Sequence, residues 1–95
     1  MANVTFDEER RRYEIFSEDE LAGFAEFADR GDHLDFHRTV IYERFGGQGL
    51  AGQVVRHALN DVREKGRKIK PTCSFVDGFI KKNPEYQDLV FDPAG

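Results

Sequence analysis

The stretch 42-YERFGGQGLAGQVVRHALNDVREKG-66 changes character in its middle, and the rest of the chain is read outward from that change. From Leu50 onward, Leu50, Val54, Val55, Ala58, Leu59 and Val62 recur at the spacing of one continuous helical stripe, which predicts an amphipathic helix. Gly66 stands just past its last turn, where a left-handed cap is expected. Ahead of the helix stand Gly46, Gly47 and Gly49. Glycine gives up more backbone freedom on ordering than any other residue. Either this turn uses positive φ angles, or something approaches its backbone closely. A helix start flanked by glycines offers unpaired N–H groups, the positive end of the helix dipole and no obstructing side chain, which are the requirements for gripping a phosphate. The pattern is not a Walker loop, because no Lys-Ser/Thr pair follows the glycines. Nor is it the dinucleotide fingerprint, which needs Gly-x-Gly-x-x-Gly within parallel β-α-β units. Taken alone, the glycines fit a tight strand-to-helix turn equally well.

Upstream the period is two. In 10-RRRYEIFSED-19, Tyr13 and Ile15 among charged residues fit a short strand with one buried face. The segment 21-LAGFAEFAD-29 is a second strand, in which Phe24 alternates poorly with Ala25 and Phe27, so a bulge or burial on both faces is expected. The third and clearest is 33-HLDFHRTVIY-42, with Leu34, Phe36, Val40 and Tyr42 at even spacing. Asp29 to His33 between them has hairpin-turn composition. Downstream, 67-RKIKP-71 is a short strand ended by Pro71. A second helix places Phe75, Val76, Phe79 and Ile80 on one face, and Asn83-Pro84 stops it. The expected fold is α+β, in the order β-β-β-α-β-α, with a mostly antiparallel sheet packed against two helices in a single domain over residues 1–95.

With 95 residues, 39% hydrophobic and 34% charged, the chain is large enough for one small core and too apolar for disorder. Nine phenylalanines and no tryptophan point to a Phe-built core. A formal net charge of −4 argues against nucleic-acid binding, which needs a basic face, although Arg63 to Pro71 and Lys81-Lys82 are locally basic. The lone Cys73 excludes an internal disulfide. No apolar run approaches a membrane span of roughly 18 residues and no signal-peptide core is present, so a soluble cytoplasmic protein is expected. One cysteine and three scattered histidines fall short of a metal site.

Arg44-x-x-Gly47-x-Gly49-Leu50 resembles the (Gln/Arg)-x-x-Gly-x-(Gly/Ala) signature of the GNAT superfamily of N-acetyltransferases, whose turn amides hold the pyrophosphate of coenzyme A. The resemblance runs from about Gly23 to Val90 through GFAEF, GQGLA, ALNDVREKGRKIKP, CSFV and NPEYQDLV. Cys73-x-Phe75-Val76 two residues after Pro71, followed by Pro84-Glu85-Tyr86, is the most specific part. It resembles the small, truncated, cysteine-containing YjdJ-like branch. That branch usually has Cys-Pro-Phe where this chain has Cys73-Ser74-Phe75, and His-Pro-Glu-Tyr where this chain has Asn83. Its strand before the glycines often reads His-Thr-Glu-Val, against Arg38-Thr39-Val40-Ile41 here, so no histidine role is carried onto Arg38 or Asn83.

The resemblance implies a truncated GNAT-like fold and an acetyl-coenzyme A-dependent N-acetyltransferase with an unidentified amine acceptor; the alternative is a non-catalytic module that binds acyl-coenzyme A or coenzyme A. The cofactor grip falls on the turn Arg44, Phe45, Gly46, Gly47, Gln48, Gly49, Leu50 and Ala51, with Arg56 adding charge. The pantetheine rail falls on Thr39, Val40 and Ile41, and Cys73, Phe75, Phe79, Lys81 and Lys82 border the rest of the cofactor. Cys73, at the start of the second helix where the dipole favours a thiolate, is the candidate nucleophile of a ping-pong route. His37 is a weaker candidate base and Tyr86 a weaker candidate acid toward the leaving thiolate. His33 is expected to be exposed in its turn and His57 to lie at the helix surface. A monomer or weak homodimer is expected.

Overall fold

Strand alternation and turn chemistry lay down four antiparallel strands before the first helix begins. The computed structural model describes residues 1–94. Strands β1 (Ala2–Asp7), β2 (Arg12–Ser17), β3 (Glu20–Asp29) and β4 (Leu34–Ile41) pair with their sequence neighbours in antiparallel fashion. Helix α1 (Leu50–Glu64) follows, then β5 (Ile69–Lys70) and helix α2 (Ser74–Lys82). Short 3-10 turns span Glu43–Phe45 and Pro84–Leu89. The sheet order is β1-β2-β3-β4-β5, with β5 parallel to β4. Glu18 and Asp19, both at positive φ (48° and 69°), form the two-residue turn that matches strand twist. In the β3–β4 turn, the Asp29 side chain accepts the Gly31 N–H (2.9 Å).

This is the expected α+β architecture with one strand more. In β1, Ala2 and Val4 are only partly buried and Phe6 stays exposed although its ring lies 4.8 Å from that of Tyr13, so this edge strand carries a weak signal and sequence reading starts the sheet at β2. The expected irregularity around Phe24 takes both forms: Ala22 is the extra residue of β3 against β2, and residues on both faces around Phe24 are buried. Register shifts between Glu26 and Phe27, where Phe27 pairs with Phe36 but Glu26 with Arg38, leaving His37 as the extra residue of a bulge in β4. Each face of β4 therefore changes at His37. Leu34 and Phe36 enter the core, while Val40 lies opposite Phe24 on the other face, which corrects the even spacing read through Val40 and Tyr42. Phe24 is nonetheless only 4% exposed, because the Arg12 and Arg38 guanidinium groups lie 4.2 Å and 5.4 Å from its ring centre.

Both helices and the Pro84–Leu89 turn join one hydrophobic cluster with the opposite face of the sheet. The predicted stripe of α1 is its buried face, from Leu50 to Val62. The helix ends in a Schellman motif: the Gly66 N–H donates to the Arg63 carbonyl (3.0 Å) and the Arg67 N–H to the Val62 carbonyl (3.1 Å), with Gly66 at φ +68°. His33 is not the free turn residue expected. Its ring stacks on Phe91 at 4.4 Å and its Nδ1 meets Asp32 at 2.7 Å.

The buried Tyr13 of β2 fixes α1 to the sheet, its hydroxyl donating to the Asp61 carboxylate, which Lys65 also meets at 2.8 Å. Burial pushes the Asp61 carboxyl up, but the Lys65 and Tyr13 hydrogen bonds outweigh it and hold it below its ordinary value. Burial, together with the Asp61 bond, pushes the Tyr13 hydroxyl well above its usual range. Tyr13→Phe should destabilise the fold by about 1.5 kcal/mol at pH 7. Because Asp61 titrates lower when folded, its contribution is present above the unfolded carboxylate pKa and is lost as pH falls through the folded one. Urea unfolding of both proteins should therefore show the gap full at pH 7 and shrinking below about pH 4.

Candidate active site

Strands β4 and β5 touch over only two residue pairs, Leu34 with Ile69 and Asp35 with Lys70. Pro71 then ends β5, having no N–H to continue a ladder. One further link, the Cys73 N–H donating to the Phe36 carbonyl (2.8 Å), closes the base of the opening. Beyond it, among the described residues, no strand pairs with His37 to Ile41 on that side. The Tyr42 N–H reaches back to the Ala22 carbonyl on β3 (2.8 Å), so by antiparallel alternation the backbone of Thr39 and Ile41 faces the opening. Val40 faces β3.

Cys73 stands at this opening as the N-terminal cap of α2, in extended conformation, its carbonyl accepting the Asp77 N–H (3.0 Å). Its half-buried Sγ lies 3.4 Å from the Thr39 hydroxyl. Burial pushes the thiol up, yet hydrogen bonds from the Thr39 hydroxyl and from the backbone N–H groups of Val76, Phe75 and Thr39 outweigh it, holding the thiol below its usual range. Two elements thus aim donors at one sulfur: the free edge of β4 and the amide end of α2. Such an environment favours a thiolate.

The glycine turn lies where β4 runs out. Gly47 (φ +79°) and Gly49 (φ +73°) adopt left-handed backbone, and an added Cβ at either would meet open space, so φ alone calls for glycine there. Gly46 has ordinary φ; a Cβ there would come within 3.2 Å of the Glu43 carbonyl. Gly49 caps α1 without a side-chain hydrogen bond, and the first turn carries no acid, so its amides keep their positive field. Phe45 and Leu50 anchor the turn in the core, while Gln48 is exposed and Ala51 half-buried.

The arginines of this region are engaged elsewhere. Arg44 pairs with Glu20 and lies over the Phe45 ring at 4.5 Å. Arg56 reaches Asn83 Oδ1 (3.0 Å) and the Tyr86 hydroxyl (3.3 Å). Tyr86 is buried beyond the far end of α2, its hydroxyl donating to Asn60 Oδ1 (2.8 Å). Its ring packs beside Phe79 of α2, with ring centres 5.9 Å apart. His37 is exposed at the bulge, and His57 is exposed on α1. Phe75 is 41% exposed beside Phe79, Lys81 pairs with Asp77 (2.9 Å), and Lys82 is exposed. Asn83 caps α2 through the Phe79 carbonyl (2.8 Å), and Arg38 serves Phe24 and Glu26 on the opposite face. The structure brings the Thr39 hydroxyl to Cys73 Sγ, a contact that sequence reading misses because its direction depends on the bulge. A concavity of about 470 Å³ floored by Phe6, Tyr13 and Phe27 lies at the other end of the sheet. Among the described residues, no cluster of three His, Cys, Asp or Glu side chains is placed to hold a metal, and no helix is long and apolar enough to cross a membrane.

The sequence profile of the GCN5-related N-acetyl-transferase family matches residues 12–89 of the chain. The chain belongs to this family. Among its relatives is Protein NATD1 of Danio rerio, 28% identical over 89 residues, covering 90% of this chain and 80% of that protein. Protein NATD1 of Homo sapiens is 30% identical over 56 residues, 59% of this chain and 50% of that one, so this match spans half the human protein. A GCN5-like protein of Staphylococcus aureus, solved by NMR, superposes with a TM-score of 0.70 at 21% identity, covering 94% of this chain and 87% of the other, and shows the same fold.

In this family member, the iodoacetamide alkylation rate of Cys73 should titrate with a midpoint below that of free cysteine, and Thr39→Val should move the midpoint upward without unfolding the protein. A midpoint unmoved by Thr39→Val would mean that the hydroxyl does not tune the thiol. Gly49→Ala should cost about 1–2 kcal/mol of stability through backbone strain alone, read from chemical denaturation.

Proposed function

We propose that the protein is an acetyl-coenzyme A-dependent N-acetyltransferase that carries the acetyl group on Cys73 before passing it to an amine. The observation that carries this reading is the position of the Cys73 sulfur, 3.4 Å from the Thr39 hydroxyl and at the N-terminal cap of α2, at the opening between β4 and β5. The amides of the Gly47–Gly49 turn and of the first turn of α1 bind the pyrophosphate, with Arg44 exchanging Glu20 for a phosphate oxygen. The pantetheine arm lies along the free edge of β4, where Thr39 and Ile41 present backbone groups, and Phe75, Phe79 and Lys82 of α2 border the cofactor on the other side.

The chemistry follows from the thiolate. Its sulfur attacks the thioester carbonyl carbon; the new carbon–sulfur bond forms as the bond to coenzyme A breaks, and the coenzyme leaves as a thiolate that takes up a proton. An acceptor amine then attacks the acetyl-cysteine, loses a proton and releases the Cys73 thiolate. Exposed His37, next to the bulge, is the nearest candidate among the histidines to take that proton. The buried Tyr86 hydroxyl, held by Asn60 and Arg56, acts in packing in this scheme, not as an acid.

Acetyl-coenzyme A at about 100 times its Kd should stabilise the protein by about 2.7 kcal/mol, visible as a raised Tm. Intact mass spectrometry should then find one acetyl group on the wild-type protein and none on Cys73→Ala, which should still bind. Stabilisation without an adduct in either protein would replace the covalent route with direct transfer or with a coenzyme A-binding module, which amine-dependent release of coenzyme A would separate. No stabilisation would overturn the proposal.

A further inference from the structure

The outer edge of β1 is unpaired, and it lacks the devices by which proteins usually protect such an edge. Between Ala2 and Asp7 there is no proline, lysine or glycine, and the register with β2 runs without a bulge. The opposite side of the sheet is different: β5 has two residues and stops at Pro71.

Which backbone groups of β1 face outward follows from the turns. Ser17 and Glu20 flank a two-residue turn and so exchange hydrogen bonds, which directs Ser17 toward β3 and Phe16 toward β1. Asn3, opposite Phe16, and Thr5, opposite Glu14, therefore point their backbone groups into the sheet. The N–H and C=O groups of Ala2, Val4 and Phe6 point out of it.

We propose that a second copy of this chain adds antiparallel to this edge, forming a two-fold dimer with one continuous sheet. The outward residues set the register: Val4 meets its own copy on the axis, Ala2 lies opposite the partner's Phe6, and Asn3 lies opposite the partner's Thr5. The strand is its own complement in this register. A small side chain faces the 39% exposed Phe6 on the helix side, two short polar side chains meet on the other, and no charge lies between Ala2 and Phe6. Charge borders the strand on both faces: Lys65 lies 4.0 Å over the Phe6 ring, and Glu18 and Asp19 line the groove beside Asn3 and Thr5. Gln53, His57 and Asn60 of α1 border the groove beside Ala2 and Val4, and Arg56 is already held by Asn83 and Glu85. This inference is independent of acetyl transfer, since the edge lies across the sheet from Cys73.

Sedimentation equilibrium of the full chain from micromolar to millimolar concentration should show the mass rising from monomer toward dimer. An Asn3→Lys/Thr5→Lys protein places lysine opposite lysine twice across the axis, at positions exposed in the monomer, and should dimerise at least about tenfold more weakly. Mixing it with an Asn3→Asp/Thr5→Asp protein should restore the dimer. In the wild type, hydrogen exchange at the Val4 and Phe6 amides should slow as concentration rises, while the Asn3 and Thr5 amides stay unchanged; this readout holds even where a variant fails to fold. A wild-type protein that stays monomeric at millimolar concentration, a dimer indifferent to the lysines, or Val4 and Phe6 amides unprotected in the dimer would each overturn the proposal.

Discussion

Two residue pairs hold β4 against β5, and everything at the candidate site follows from their parting. Had the pairing continued, the edge groups of Thr39 and Ile41 would be spent on a neighbouring strand. Pro71 and the bulge at His37 prevent that from the two sides: one strand cannot donate further, and the other rotates its residues out of phase. The Cys73 N–H bond to Phe36 marks where the two strands separate. Because α2 starts at that same residue, the unsatisfied amides of a strand edge and of a helix end face a common space. Each set would be a liability if buried without a partner; together they supply donors to one sulfur.

The rest of the fold keeps that opening in place. A single hydrophobic cluster joins the inner face of the sheet to both helices, so α2 cannot shift without disturbing residues shared with α1. The Tyr13–Asp61 bond and the Asn60–Tyr86–Arg56 group add polar ties, the first between sheet and helix, the second between α1 and the segment after α2. Phe24 shows how the uncovered face is managed. It carries no helix, and the aromatic ring is shielded by the guanidinium planes of Arg12 and Arg38, themselves paired with Glu14 and Glu26.

Electrostatically, the site relies on backbone dipoles more than on side-chain charge. Arg44 and Arg56 are paired at the surface, where such pairs are worth little and exchange partners readily. The glycine turn and the two helix starts are fixed donors that need no reorganisation. Under the proposed function this suits a chain of net charge −4, in which an anionic cofactor would meet backbone donors and no broad basic surface.

By itself the sequence determined the elements whose signals are local. The stripe from Leu50 to Val62, the cap at Gly66, the stop at Asn83-Pro84 and the alternation of Tyr13 and Ile15 each need only a few neighbouring residues to be read. Gly47 and Gly49 likewise announced a turn, because positive φ is a property of the residue itself. The tertiary structure decided what depends on relations between distant segments. Strand β1 became visible only by pairing, since an edge strand buries too little to impose a pattern. The bulge at His37 reversed the faces of Val40 and Thr39, and no local signal marks an extra residue whose cause lies in the register with β3. That reversal is what carries the Thr39 hydroxyl to Cys73, 34 residues away. Packing likewise sets the places of Arg38 and Tyr86: one covers Phe24 and the other is a buried tie to Asn60 and Arg56, because packing partners, not composition, fix where a side chain points.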